Sequence, residues 1–186
     1  PYRIIQDIEV APGATLTVEP GTEVELAEDI TVTVSGSFRT NGTAARPVSI
    51  TRSDGADADR RWASLRYNGT ADSSLRLTHT TLEGGTTGLS VVSSAGTVEV
   101  VDSTVRDCTT AGLAVEETTA APRISVSGST FRAIGDHAIQ ATPGAGTTDR
   151  VSLTAAPDAR DAGADHTLEL QPGTGVSMDS IRLQYR

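Results

Sequence analysis

This sequence predicts an all-β fold, a single-stranded parallel β-helix of about seven coils that fills one domain over residues 1–186. The first observation is a repeat of about two dozen residues. Leu65, Leu89 and Leu113 open equivalent apolar runs, Leu75, Val98 and Ile124 open a second set, and Leu82, Val105 and Phe131 mark a third. Three strand signals per copy describe a coil that must stack on its neighbours to bury its apolar face. The second observation is that apolar and polar residues alternate within each run, so each strand turns one face inward. The third is composition. Aromatic residues make up only 3%, so the core has to be built from stacked aliphatic side chains rather than large rings.

Taken in order, Tyr2-Arg3-Ile4-Ile5 is expected to cover the first end of the column, because open strand edges need protection. The run DIEVAPGATLTVEPGTEVEL then places Ile8 and Val10, Leu16 and Val18, and Val24 and Leu26 on inward faces. Pro12-Gly13 and Pro20-Gly21 punctuate it as turns. A second coil opens at Val32 and Val34, passes Phe38 and returns at Val48 and Ile50. A polar insertion, Ser53 to Arg61, follows, and Trp62 leads into the Leu65 coil. Asp54, Asp57 and Asp59 in that insertion have no glycine at the offset an EF-hand requires and no closing glutamate, which leaves a solvated loop. Coil starts at residues 8, 32, 65, 89, 113, 139 and 168 are 24, 33, 24, 24, 26 and 29 residues apart. The extra length falls in loops, which a solenoid tolerates. Ile139, with Val151 and Leu153, is expected to form the sixth coil and Leu168 with Leu170 the seventh, and Val176 to Tyr185 to close the far end.

All fifteen basic residues are arginine, and twenty-four acidic residues bring the formal charge to −9. Such a surface repels nucleic acid and anionic membranes, which are not expected as partners, and disfavours acidic polysaccharides for the same reason unless bound cations bridge the charges. One cysteine cannot form an internal disulfide. No apolar run is long enough for a membrane-spanning helix, and no signal peptide opens the chain at Pro1. The expectation is a processed or trimmed chain whose leader was removed.

The run GATLTVEPGTEVEL, then VSGSFRTNGTAARPVSIT with its polar loop and Trp62, and then the STV and STF turns with GLSV and GLAV, resembles the secreted right-handed parallel β-helix proteins of bacteria. These are similar in fold to the pectate-lyase-like superfamily. The resemblance implies a right-handed coil, a secreted or cell-surface location and a polysaccharide or cell-surface glycan as partner. It implies service as a structural or carbohydrate-binding module without catalysis. The alternative it carries is a polysaccharide lyase, hydrolase or epimerase that works in a groove on the outer face. Two departures weigh against the enzyme: the paired aspartates of polygalacturonase-like members have no adjacent Asp-Asp here, and the lyase-like members' lysine has no counterpart in a chain without lysine.

Several residues are candidates for chemistry. Asp136-His137 and Asp165-His166 stand three and two residues before Ile139 and Leu168, so stacking of coils would bring two histidines and two aspartates together. Imidazole and carboxylate suit a divalent cation, the one cofactor in view, or a base with its orienting partner. The competing reading is a hydrogen-bonded polar turn, since Thr86-Thr87 and Thr110-Ala111 hold the same place earlier. Glu83, Arg106 and Arg132 should share one outer face, as an arginine fork for a sugar carboxylate or as a salt-bridge ladder. In the enzyme reading, Arg106, Arg132, Asp136 and His137 carry the reaction. Cys108 aligns with Ile134 and is expected to be a buried, inert thiol. Thr80-Thr81, Ser103-Thr104 and Ser129-Thr130 recur at one turn and predict a ladder of stacked hydroxyls. The outer positions Glu9, Thr33, Arg66, Ser90, Ala114, Gln140 and Glu169 are too mixed for an ice-matching face.

Overall fold

The computed structural model describes residues 1–53, 59–92, 96–116, 123–141, 151–155, 166–170 and 181–183. The described elements are all strands. The first rung is β1 (Tyr2–Ile4), β2 (Ile8–Val10) and β3 (Thr15–Val18), and the second is β4 (Glu23–Leu26), β5 (Thr31–Val34) and β6 (Ser37–Thr40). The third is β7 (Val48–Arg52), β8 (Ser64–Tyr67) and β9 (Ser74–Thr78), and the fourth is β10 (Thr80–Glu83), β11 (Thr87–Val91) and β12 (Thr97–Val101). The fifth is β13 (Thr104–Cys108), β14 (Ala111–Val115) and β15 (Arg123–Ser127), after which β16 (Thr130–Ile134) and β17 (His137–Ala141) begin a sixth. Every third strand joins the same sheet: A takes β1, β4, β7, β10, β13 and β16; B takes β2, β5, β8, β11, β14 and β17; C takes β3, β6, β9, β12 and β15. All these pairings are parallel.

The repeat read from the sequence is the register of the ladders. Ile8, Val32, Leu65, Leu89, Leu113 and Ile139 stand directly above one another in sheet B. Leu75, Val98 and Ile124 do so in sheet C, and Leu82, Val105 and Phe131 in sheet A. Their inward side chains form one continuous core, with Leu75, Leu77, Leu82 and Leu113 fully buried. Its two rings that carry a polar tip each satisfy it. Trp62 Nε1 donates to the Glu83 carbonyl at 2.8 Å, and the Tyr67 hydroxyl meets Ser73 Oγ at 2.9 Å.

The coil count is about five complete turns, not seven. After β17 the strands change direction: β18 (Val151–Ala155) pairs antiparallel with β19 (His166–Leu170), and β20 (Ile181–Leu183) pairs antiparallel with β17. Leu168 therefore lies opposite Leu153 instead of opening a further coil. Period-two alternation is common to parallel and antiparallel strands, so the pattern located these strands without giving their direction. Strand β20 falls within the segment expected to close the far end and covers the sheet B edge. At the other end, β1 extends sheet A as its edge strand. Tyr2 and Ile5 are 73% and 71% exposed, while Ile4 of the same segment packs against the core.

Two corners show why the turns hold their residue types. Between sheets C and A, His79, Asp102 and Gly128 take φ of 42°, 47° and 58° at equivalent places. This left-handed bend lifts the next backbone N–H groups out of the ladder, and hydroxyls receive them. Thr80 N–H donates to Ser103 Oγ at 3.0 Å and Ser103 N–H to Ser129 Oγ at 3.1 Å. Each hydroxyl in turn donates to the carbonyl two residues back, Ser103 to Val101 at 2.7 Å and Ser129 to Ser127 at 2.9 Å. Thr80 Oγ1 continues the chain to Thr40 Oγ1 at 2.6 Å. The expected hydroxyl ladder is present and nearly wholly buried at Thr40, Thr80 and Ser103. Between sheets A and B a second left-handed column runs through Gly84, Asp107 and Ala133 at φ 81°, 55° and 52°.

Substituting Ser103→Ala leaves the buried Thr80 N–H without its acceptor, and is expected to cost about 1–3 kcal/mol in urea melts. A left-handed alanine is strained by roughly 1–2 kcal/mol, partly offset in glycine by greater unfolded-state entropy. Ala133→Gly is therefore expected to stabilise by about 0.5–1 kcal/mol, while Ala114→Gly, within β14, destabilises.

Candidate functional site

On the outer face of sheet A, the register does place Glu83, Arg106 and Arg132 in one column. Arg106 Nη2 donates to Glu83 Oε2 at 2.6 Å, which commits this guanidinium to a neighbour on the preceding rung. Arg132 is exposed one rung further on. Asp107 projects from the left-handed corner and forms its ion pairs with Arg61 and Arg52. Arg61 reaches its Oδ2 at 2.7 Å, its Oδ1 at 3.3 Å and its carbonyl at 3.1 Å, and Arg52 reaches Oδ2 at 3.3 Å. Arg61 closes the long connection between β7 and β8, so this clamp ties the insertion back onto the column. The hydrogen bond from Arg61 holds the Asp107 carboxyl below its ordinary value against the opposing effect of burial, and the charges of Arg61, Arg52 and Arg106 add to the lowering.

Asp136 and His137 lie at the turn into β17, on the same rung as Arg132. The backbone N–H of each donates to the Thr110 carbonyl, at 3.3 Å and 2.9 Å. His137 stacks on Ala111, and its Nδ1 is buried with no hydrogen-bond partner. The neighbour of β17 on the far side is β20, not β19, so the ladder that would have set Asp165-His166 above Asp136-His137 is not formed. Asp165 and the side chain of His166 lie outside the described residues, as do Asp54 and Asp57 of the insertion and Asp149, Asp158 and Asp161, late aspartates whose crowding suggests calcium but whose spacing leaves a solvated acidic loop as the expectation. Among the described residues no group of three or more His, Cys, Asp or Glu side chains is placed to hold a metal ion. Cys108 is buried opposite Ile134, and burial pushes its thiol up to about 11, which leaves it protonated and unreactive near neutrality.

Among the described residues a concavity lies on the outer face of sheet C, where the sequence reading had placed nothing. It is an open groove of about 520 Å³ lined by Arg39, Asn41, Gly42, Ser74, Arg76, Thr78 and Glu99. Arg39, Arg76 and Glu99 in it belong to an outward column that runs in register from Thr17 to Ser125. Arg76 Nη1 lies 3.2 Å from Glu99 Oε2, and its Nε donates to Thr78 Oγ1 at 3.4 Å. Arg39 has neither ion pair nor side-chain hydrogen bond among the described residues. One wall begins at Asn41-Gly42, past the end of β6, and continues into a tight turn in which Thr43 and Arg46 exchange backbone hydrogen bonds, both 3.1 Å. A Cβ on Gly42 would collide with the His79 carbonyl oxygen, so only glycine lets this wall pack against the next rung. The signal for the groove was present in SFRT, SLRLT and TVEVV, where a charged residue sits between two inward positions at the same point of three copies.

Because folding lowers the Asp107 carboxyl, its ion pairs contribute in full above the titration range of an unfolded aspartate, about pH 4, and are lost as pH falls through the folded value. Asp107→Asn is expected to be less stable than the parent at neutral pH in urea melts, with the difference closing on acidification. Compared with known proteins, the chain matches no family model, no curated protein and no solved structure, and the functional reading rests on the geometry above.

Proposed function

We propose that this solenoid is an extracellular, non-catalytic carbohydrate-binding module whose binding surface is the groove on sheet C. The supporting observation is the groove itself. Its volume of about 520 Å³ falls in the usual range for ligand sites, roughly 300–1,000 Å³. Its lining offers guanidinium, amide, hydroxyl and carboxylate groups from three successive rungs. Strands hold these groups at fixed vertical intervals of about 4.8 Å, so a linear chain lying along the column meets a donor or acceptor at each rung without deforming the protein. Pre-set polar groups of this kind limit the ordering cost of binding.

Binding without turnover fits the side chains available. Hydrolysis of a glycosidic bond commonly uses two carboxyl groups flanking it. The groove lining has one, Glu99, and Arg76 already engages it.

A glycan array run beside a reducing-sugar and unsaturated-product screen, with and without calcium, tests the reading. Retention of one glycan class with no product is expected. Loss of a charge-assisted hydrogen bond is worth about 1.5–3 kcal/mol, or roughly 10- to 100-fold in affinity, and Arg39→Gln is expected to weaken retention by that much. Turnover that disappears in His137→Ala overturns it in favour of an enzyme acting near the β17 turn.

A further inference from the structure

We infer that the groove on sheet C selects an anionic polysaccharide, one bearing carboxylate or sulfate groups, and that Glu99 is the residue that sets how strongly it does so. The inference rests on the carbohydrate-binding reading above.

Three observations support it. The first is an uncompensated charge. Arg39 and Arg76 are direct partners on adjacent parallel strands, and like charges at such positions repel. Glu99 relieves Arg76 at 3.2 Å, and no carboxylate relieves Arg39 among the described residues. Two arginines against one glutamate leave this lining net positive, on a chain whose formal charge is −9. The second is what the groove lacks. A neutral sugar ring is commonly held by stacking on an aromatic face, but no aromatic residue lines the groove, and Trp62 and Tyr67 are fully buried in the core. The third is geometry. A guanidinium presents a planar fork that suits carboxylate and sulfate oxygens. Two forks a rung apart, with Asn41, Ser74 and Thr78 beside them, suit anionic groups carried on a chain.

Glu99 is then an internal competitor. Its carboxylate occupies Arg76 in the free protein, and an incoming anion must displace it or share the guanidinium. The pair is solvent-exposed, with side chains 52% and 37% accessible, so its displacement is cheap but measurable. The excess negative charge elsewhere disfavours long polyanions that spread over the whole surface. Recognition is accordingly confined to the groove.

The test is calorimetric titration of the parent, Glu99→Gln and Arg39→Gln with four probes of matched length: a uronic-acid oligosaccharide, a sulfated dextran oligomer, a neutral dextran oligomer and a single-stranded oligonucleotide. Both substituted positions are at the surface of the groove, and an unfolding curve for each variant checks that the column is intact. The parent is expected to bind one or both anionic sugars more tightly than neutral dextran, with affinity falling as salt is raised. Glu99→Gln is expected to tighten the anionic sugars by about two- to five-fold, the equivalent of an exposed ion pair, and to leave neutral dextran unchanged. Arg39→Gln should weaken them by about ten-fold or more. The relative strengths of the uronic-acid and sulfated probes identify which anion the forks prefer. Equal binding of neutral and anionic sugars, or unaltered affinity in Glu99→Gln, overturns this inference while leaving a glycan-binding groove in place. No binding of any sugar by the parent, or binding indifferent to Arg39, overturns the groove reading itself. Tighter binding of the oligonucleotide than of every sugar overturns the assignment to polysaccharide.

Discussion

In-register parallel pairing between rungs is the constraint on which the rest of this molecule depends. Once Leu65, Leu89 and Leu113 lie one above another, every other position of the repeat is also brought above its own counterpart. Each kind of place, whether inward, outward or corner, becomes a column with a single chemistry. Inward columns bury aliphatics, corner columns take left-handed residues and hydroxyls, and outward columns collect whatever charges the surface can balance. The price is that a mismatch at one rung is felt by the rungs on either side, because hydrogen-bond partners are supplied by the neighbour and not by the same strand.

The polar corners illustrate this dependence better than the core. Ser103 satisfies a backbone N–H of the rung before it and draws on Ser129 of the rung after it, so neither turn is complete alone. The Arg61–Asp107 clamp has the same character: it joins the end of the third rung's long connection to a corner two rungs along the column. Trp62 adds an anchor at that connection, fully buried and hydrogen-bonded to the Glu83 carbonyl. A nine-residue polar insertion is therefore accommodated between β7 and β8 without loss of register on either side.

Much of the fold was legible in the sequence because aliphatic spacing reports directly on stacking. The six coil starts from Ile8 to Ile139 are ladder partners as read. Direction was not legible: the alternation in VSL and TLEL says that Val151, Leu153, Leu168 and Leu170 share one face, and nothing in it says whether the neighbouring strand runs up or down. The Asp-His dipeptides were aligned on that missing information. The surface was harder still. Glu83 and Arg106 were read as a column and are one, yet Asp107 pairs with Arg52 and Arg61, distant in sequence and brought near by the fold. The groove at Arg39 and Arg76 escaped notice because no single copy contains it; its chemistry exists only after three copies are superposed.

The groove has a mechanical consequence. Stacked repeats lose structure by unzipping from their ends, since each rung is held chiefly by its two neighbours. Arg39, Arg76 and Glu99 come from β6, β9 and β12, on three consecutive rungs, so a rod-shaped molecule seated there acts as a staple along the axis. Under the proposed binding, occupancy would convert three separately detachable layers into a unit that must be released together.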